Sequence, residues 1–328
     1  MTRPGTAITA ITAITALLLS VGLTPAYAAD AYPAKPITII YPYAPGSASD
    51  TMTRLLAEAM SKRLGQPVIV DGKPGAGGSI ATEHVVRAAP DGYTLLLSAS
   101  GTIAVNPHIY KLRYNPVEDL AQISIAVEVP FVFVVGKNFP AQDYAAFKAL
   151  SSTKPGGLSS ANAGLGTQAH LTQAAFAKLA GVNLSILGYK GAAPAVNDIL
   201  GGHVDSMMDN AASQIPYVTS GKTTALFVTS DYRFDGYPQV PTAKELGITG
   251  LVPTGWFGLA APKDTPPAVV EKIQGAVVAS LKDAEMQRKL KELGWVIVGN
   301  TSQQAAERAR TDYELLGKVA RDIELKPN

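Results

Sequence analysis

The chain has 328 residues, 28 Lys+Arg against 26 Asp+Glu, and no cysteine. Without thiols there is no disulfide framework, iron–sulfur cluster, thiolate zinc site, Cys nucleophile or Cys-attached lipid. A net charge of +2 with 16% charged residues gives no electrostatic footprint for nucleic acid, and 47% hydrophobic residues exclude wholesale disorder. A chain of this length buries a sizeable core and is expected to divide into about two domains.

Residues 1–28 are expected to be a cleavable export signal. Arg3 is followed by an apolar, Ala/Thr-rich run from Ile8 to Leu23, and Ala26-Tyr27-Ala28 offers small residues for cleavage after Ala28. The ITA triplet at Ile8, Ile11 and Ile14 is low complexity inside this leader. The run is shorter than the roughly 20 residues of a membrane span. Removing Arg3 leaves 27 basic against 26 acidic residues.

Beyond the leader, strand and helix patterns alternate. Ile37 to Tyr41 is a short β-branched run and reads as a strand. A loop, Pro45 to Asp50, leads into helical spacing of Met52, Leu55, Leu56, Ala59, Met60 and Leu64, stopped by Gly65 and with Ser49 or Asp50 as the expected N-cap. Val68 to Val70 is the next strand, Lys73 to Ser79 a Gly-rich loop, Ile80 to Ala88 a helix and Tyr93 to Ser98 a buried strand. The grammar restarts with strands at Phe131 to Val135 and Leu158 to Ala161 and a helix at Tyr144 to Leu150. The loop Ala163 to Gln168 then opens onto a helix carrying Leu171, Ala174, Ala175, Phe176 and Leu179. Leu184 to Leu187, Val204 to Met208, Ala225 to Thr229, Phe257 to Ala260 and Val296 to Val298 are further expected strands in a chain whose last third is helix-rich. This alternation predicts an α/β fold with mostly parallel sheets flanked by helices.

Two strand–loop–helix units, one in each half, place Gly46–Asp50 and Gly164–His170 where ligands sit in open parallel sheets. Helix N-termini there attract anions, so two facing loops would grip one from both sides. The plainer alternative is that each loop only turns a tight corner. Several catalytic patterns fail. Gly164-x-Gly166-x-x-Ala169 has no acidic residue after the next strand, which runs into Gly188-Tyr189-Lys190-Gly191, so the dinucleotide fingerprint is incomplete. Gly221-Lys222-Thr223 lacks the upstream glycine of a P-loop, that place being Pro216. Gly46-Ser47-Ala48-Ser49-Asp50 lacks the spacing of a hydrolase elbow. His84, His108, His170 and His203 show no metal-ligand spacing. No cofactor and no metal is expected.

Tyr32-Pro-x-Lys35-Pro36-Ile37, Tyr43-Ala-Pro45-Gly46-x-x-x-Asp50, Lys73-Pro-Gly-Ala-Gly-Gly78 and Pro90-Asp-Gly-Tyr-Thr-Leu95 stand in order along the first half. Ala163-Gly-x-Gly-Thr-x-x-His-Leu171, Tyr189-Lys-Gly191, Leu200-Gly-Gly-x-Val-Asp205 and Trp256-Phe-Gly-Leu-x-Ala-Pro262 follow. Together they resemble the substrate-binding proteins of tripartite tricarboxylate transporters, the Bug family. The resemblance implies a periplasmic, two-domain Venus-flytrap binder, type II-like, that delivers a small mono- or dicarboxylate, aliphatic or aromatic, to the membrane components of the transporter. Presentation of the ligand to a membrane sensor kinase belongs to the same class. It implies a first domain of residues 29–128 and 253–328 and a second of 129–252, with crossovers near Val127–Val129 and Leu251–Thr254.

Carried onto this sequence, the family's carboxylate loops fall on Tyr43, Pro45, Gly46, Ser47, Ala48 and Ser49, and on Gly164, Gly166, Thr167, Gln168 and His170. Many relatives have paired glycines where this chain has Gly46-Ser47. Ser98 and Ser100 at a strand end, Tyr189, and Asp209 with Asn210 at another strand end complete the expected ligand set. Asp209 would repel an anion unless the ligand carries an ammonium group. The alternative is an exported hydrolase of a carboxylate ester with Ser47 as nucleophile and His170 as base.

Overall fold

The computed structural model describes Met1, residues 32–252 and residues 254–325. The leader's apolar run and its cleavage point at Ala28 lie outside the described residues, as does Pro253 at one expected boundary. Residues 32–34 carry a cis Tyr32–Pro33 peptide, and the described residues from Lys35 onward form one compact unit.

β1 (Ile37–Tyr41), α1 (Ala48–Leu64), β2 (Val68–Gly72), α2 (Ser79–Val86) and β3 (Thr94–Ala99) follow the alternation of β-branched runs and helical spacing. A π-turn at Gly101–Val105 and the short α3 (Asn106–Ile109) come next. The second half repeats the pattern with α4 (Tyr144–Thr153), β5 (Leu158–Asn162), α5 (Gln168–Ala180), β6 (Leu184–Gly188), α6 (Ala192–Leu200), β7 (Ser206–Asn210), α7 (Ala211–Thr219) and β8 (Thr223–Val228). β9 (Thr254–Pro262), α8 (Pro267–Leu281), α9 (Ala284–Glu292), β10 (Val296–Ile297) and α10 (Ser302–Asp322) close the chain.

The halves are joined by β4 (Leu120–Gly136), a 17-residue strand of which only the end, Phe131 to Val135, is evident from sequence. The strand order is β2-β1-β3-β9-β4-β7-β5-β6, with β8 and β10 also paired to β4. Parallel pairing holds for β2-β1-β3 and for β7-β5-β6. Every pair that involves β4 or β9 is antiparallel. The residues of β4 up to Pro130 pair with β9 and β10, and from Phe131 onward they pair with β7 and β8. One strand therefore passes from one half of the sheet into the other at Pro130–Phe131.

Each half has its own core. The second is aromatic, with Phe133 centred between Phe147, Phe176 and Phe227 at ring distances of 4.8–5.5 Å. Edge-on, tilted and stacked ring pairs of this kind contribute about 0.5–1.5 kcal/mol each beyond their burial. The first is aliphatic around Ile40, Leu96, Ile103 and Ala260, and takes in Trp256. A third cluster joins Leu171 of α5 to Ala104 and Val105 of the π-turn and Leu316 of α10. Among the described residues no helix is long and apolar enough to cross a membrane.

Candidate functional site

Ser47, rather than Ser49 or Asp50, caps α1: its Oγ accepts from the Asp50 amide at 3.3 Å. Ser49 and Asp50 lie in the first turn, where Asp50 accepts from the Gly46 amide and pairs with Arg54. The buried Tyr41 hydroxyl stands 2.8 Å from Ser47 Oγ and 2.9 Å from Ser49 Oγ, and the two serine oxygens are 2.9 Å apart. Burial pushes the Tyr41 phenol up to about 12, so it holds its proton and bonds to the serines. Burial also raises Tyr43, which packs edge-on against Tyr41.

Across the sheet, Thr167 caps α5, accepting from the His170 amide and donating to the Gly164 carbonyl at 2.7 Å. Gly191 and Asn210 stand at the N-cap positions of α6 and α7, neither with a side-chain capping bond. A capped helix still leaves backbone amides of its first turn without intrahelical partners. The residues opening all four helices line one cavity of about 50 Å³ of solvent-accessible volume: Ser47 and Ser49, Thr167 to Ala169, Gly191 and Ala192, and Asp209 and Asn210. A water needs about 10–15 Å³ on this measure, so the space suits a small solute rather than a polymer. Tyr43, Ser100, Gly101, Phe131, Gly255, Trp256 and Phe257 complete the lining with small alanines. Among the described lining residues there is no Lys, Arg or His, and Asp209 is the one carboxylate.

That carboxylate is nearly inaccessible. Its Oδ2 accepts from Gln214 Nε2 at 2.9 Å, and burial raises its pKa to about 6. It precedes the N-terminus of α7 and answers that dipole itself. The N-termini of α5 and α6 face the cavity with no acidic residue in their first turns, and that of α1 has Asp50, which is paired with Arg54 and stands outside the lining.

Eight of the sequence-predicted residues therefore meet in the cavity: Tyr43, Ser47, Ser49, Ser100, Thr167, Gln168, Asp209 and Asn210. Tyr43 also borders an adjacent recess with Gly164 and Tyr189, and the Tyr189 hydroxyl donates to Asp198 Oδ2 at 2.6 Å. Ser98 is displaced from its expected place at the cavity. It is fully buried within β3, where pleating turns its hydroxyl toward Gln122 Oε1, 3.3 Å away. Pro45, Gly46 and Ala48 also stand outside the wall, which α1 forms through Ser47 and Ser49. Gly166 and His170 act behind the α5 loop: the Gly166 amide donates to His170 Nδ1 at 3.3 Å, and burial lowers His170 to about 4. A neutral, buried His170 outside the cavity is not placed to act as base to Ser47.

Sequence reasoning missed Phe131, Gly191, Ala192, Gly255, Trp256 and Phe257 as lining residues. The Tyr189-Lys190-Gly191 and Trp256-Phe257 blocks carried a signal for three of them, Gly191, Trp256 and Phe257. Phe131 and Gly255 arrive through the long-range pairing of β4 with β7 and β9, which no local pattern reveals.

The two halves approach closely around this cavity. A Cβ at Gly101 would lie 2.9 Å from the Gln168 amide nitrogen, and one at Gly191 would lie 3.0 Å from Ala44 Cβ. The Tyr110 hydroxyl donates across to the Leu165 carbonyl at 2.9 Å. Glycine is needed where backbone meets backbone at such distances.

The family of tripartite tricarboxylate transporter receptors matches residues 52–325. The structure is similar to that of the periplasmic binding protein BugD, at 35% identity and a TM-score of 0.86 over 90% of this chain and 100% of that one. It is similar to MatC of Rhodopseudomonas palustris, solved with bound malate, at 30% identity and a TM-score of 0.84 over 88% and 99% of the chains. It is also similar to R. palustris Rpa4515, solved with adipate, at 28% identity and 0.86 over 90% and 100%. These relatives are binding proteins, so the chain is a binding protein rather than an enzyme, and the hydrolase alternative falls. With its two-lobed flytrap fold and a match over most of its length, the chain belongs to the tripartite tricarboxylate transporter receptor family.

Proposed function

We propose that this protein is a periplasmic receptor that captures a small mono- or dicarboxylate in the cavity between its halves and presents it to the membrane components of a tripartite transporter. The carrying observation is that three helix N-termini, α1, α5 and α6, line a small cavity that has no basic side chain. A carboxylate there would be held by backbone amides and by the hydroxyls of Ser47, Ser49, Ser100 and Thr167, as anions are at helix N-termini. MatC with malate and Rpa4515 with adipate support the ligand class, and BugD supports the periplasm. Residues 1–28 act as the export signal, cleaved after Ala28. Residues 29–128 with 253–328, and residues 129–252, form the two domains, which close over the ligand by bending where β4 and β9 pass between them.

Thermal unfolding of the chain from Ala29 against a panel of acids tests this. The panel holds citrate, malate, aspartate, glutamate, adipate, nicotinate and terephthalate, each beside its neutral amide. An acid at about a hundred times its dissociation constant adds about 2.7 kcal/mol of stability. The expected result is a clear rise in melting temperature with one or more acids and none with their amides. Equal shifts with acids and amides, or none with ligand-stripped, folded protein, would overturn the proposal.

A further inference from the structure

The cavity offers donors for an anion, but its wall also holds acceptors that an anion cannot satisfy. Asp209 brings a carboxylate to the lining with no cation beside it, held by Gln214 Nε2 and the Asn210 amide alone. Gln168 also lines the cavity and is nine-tenths buried. Its Nε2 donates to the Thr254 carbonyl at 2.9 Å, which fixes the orientation of the amide. Oε1 is then left without a hydrogen-bond partner in the protein, 3.3 Å from the place a Cβ would take on the lining residue Gly255. A buried acceptor without a donor costs about 1–3 kcal/mol, and more if charged. An ordinary dicarboxylate would add two more acceptors and leave both groups as they are.

We infer that the ligand is a carboxylate bearing its own hydrogen-bond donor, a hydroxyl or an ammonium group, which Asp209 and Gln168 Oε1 accept while the helix N-termini hold the carboxylate. The inference rests on the carboxylate reading of this cavity and narrows it. Burial raises Asp209 only to about 6, so at pH 7.5 its carboxylate is ionised and accepts. The donor then fills the open acceptor of Gln168 and adds to the two bonds Asp209 already accepts, whereas an unsubstituted acid of the same length meets the repulsion without that return.

Isothermal titration at pH 7.5 with acids matched in skeleton tests it. The sets are succinate, L-malate and L-aspartate; glutarate, L-2-hydroxyglutarate and L-glutamate; and benzoate, 2-hydroxybenzoate and 2-aminobenzoate. In at least one set the substituted acid should bind about tenfold or more tighter than its parent, as a hydrogen bond to a charged group predicts. Preference for the hydroxy acid or for the amino acid identifies the donor. Asp209→Asn should cut that advantage at least fivefold, by weakening the substituted acid and by relieving the parent acid of the repulsion. Gln168→Met, which removes the second acceptor, should cut it too and serves if Asp209→Asn fails to fold by circular dichroism. Parents that bind as tightly as their substituted partners, or an advantage that survives in the folded variants, overturn the inference and leave the carboxylate reading standing. Binding of none of the nine acids overturns the inference, and the carboxylate reading falls with it only if the wider acid panel also gives no melting shift.

Discussion

The indole N–H of Trp256 donates to Asp312 Oδ2 at 2.7 Å, tying one wall of the cavity to the C-terminal helix α10. Arg308 Nε meets both oxygens of Asp312 at 2.9 and 3.0 Å, and its Nη1 reaches Glu128 Oε1 at 2.8 Å. Glu128 lies on β4 two residues before the strand passes into the other half. Ligand wall, C-terminal helix and connecting strand thus share one half-buried ionic network. Burial raises the Asp312 carboxyl, and the Arg308 charge opposes that rise.

Asp312→Ala would leave the Trp256 N–H unpaired and Arg308 with half its partners. A loss of about 2–4 kcal/mol is expected, the range for breaking a buried charged hydrogen-bond pair. Urea unfolding measures it; a loss below about 0.5 kcal/mol, the scale of an ordinary surface change, would show that the network carries no stability.

Gly101→Ala places a methyl 2.9 Å from the Gln168 amide nitrogen and 3.1 Å from Thr167 Cα, across the approach of the two halves. Overpacking of this kind costs about 1–3 kcal/mol, so ligand affinity should fall about 5- to 150-fold. Gly275→Ala, in α8 with open space at the Cβ position, is the control. It should gain about 0.4–1 kcal/mol of stability and leave affinity unchanged. Equal effects of the two substitutions on affinity would refute a close approach at Gly101.

Asp209 and His170 should give pH dependences of opposite sign. Asp209 is raised from 3.8 to about 6, so its native state binds the proton more tightly than the unfolded chain does. Its burial costs nothing below pH 3.8, and the cost grows to the order of 3 kcal/mol as pH rises through 6. Asp209→Asn should therefore gain stability relative to the parent between pH 4 and 6 and hold that gain above. His170 is lowered from 6.5 to about 4, so its contribution is present above 6.5 and lost as pH falls toward 4. His170→Gln should improve relative to the parent over that fall. Differences from the parent that do not change with pH in either variant would contradict the burial of these groups.

Much of this was legible in the sequence because local rules decide it. The β-branched run of β1 and the helical spacing up to Gly65 predict their elements within a few residues, and the first-turn residues of α1 and α5 were found from the strand–loop–helix pattern. Leu120 to Val129 escaped notice because Pro130 and Glu128 interrupt its hydrophobic run, although the strand continues through both. α7 escaped for a similar reason: Pro216 sits inside it and reads as a breaker. α6 also went unpredicted, and with it the Gly191–Ala192 lining. Ser98 was misplaced because strand parity, which sets the face of each side chain, depends on a register fixed by β9 far along the chain.

The central claim, that a carboxylate is held by helix N-termini between the two halves, is tested most directly by amide chemical shifts. Uniformly ¹⁵N-labelled protein would be titrated with the acid giving the largest melting shift. The largest perturbations are predicted at the amides of Ser49, Gln168, Ala169 and Ala192, which open α1, α5 and α6 on the cavity wall. Perturbations confined to the separate groove where Lys62, Arg63 and Lys289 pair with Glu58, Asp283 and Glu285 would contradict it.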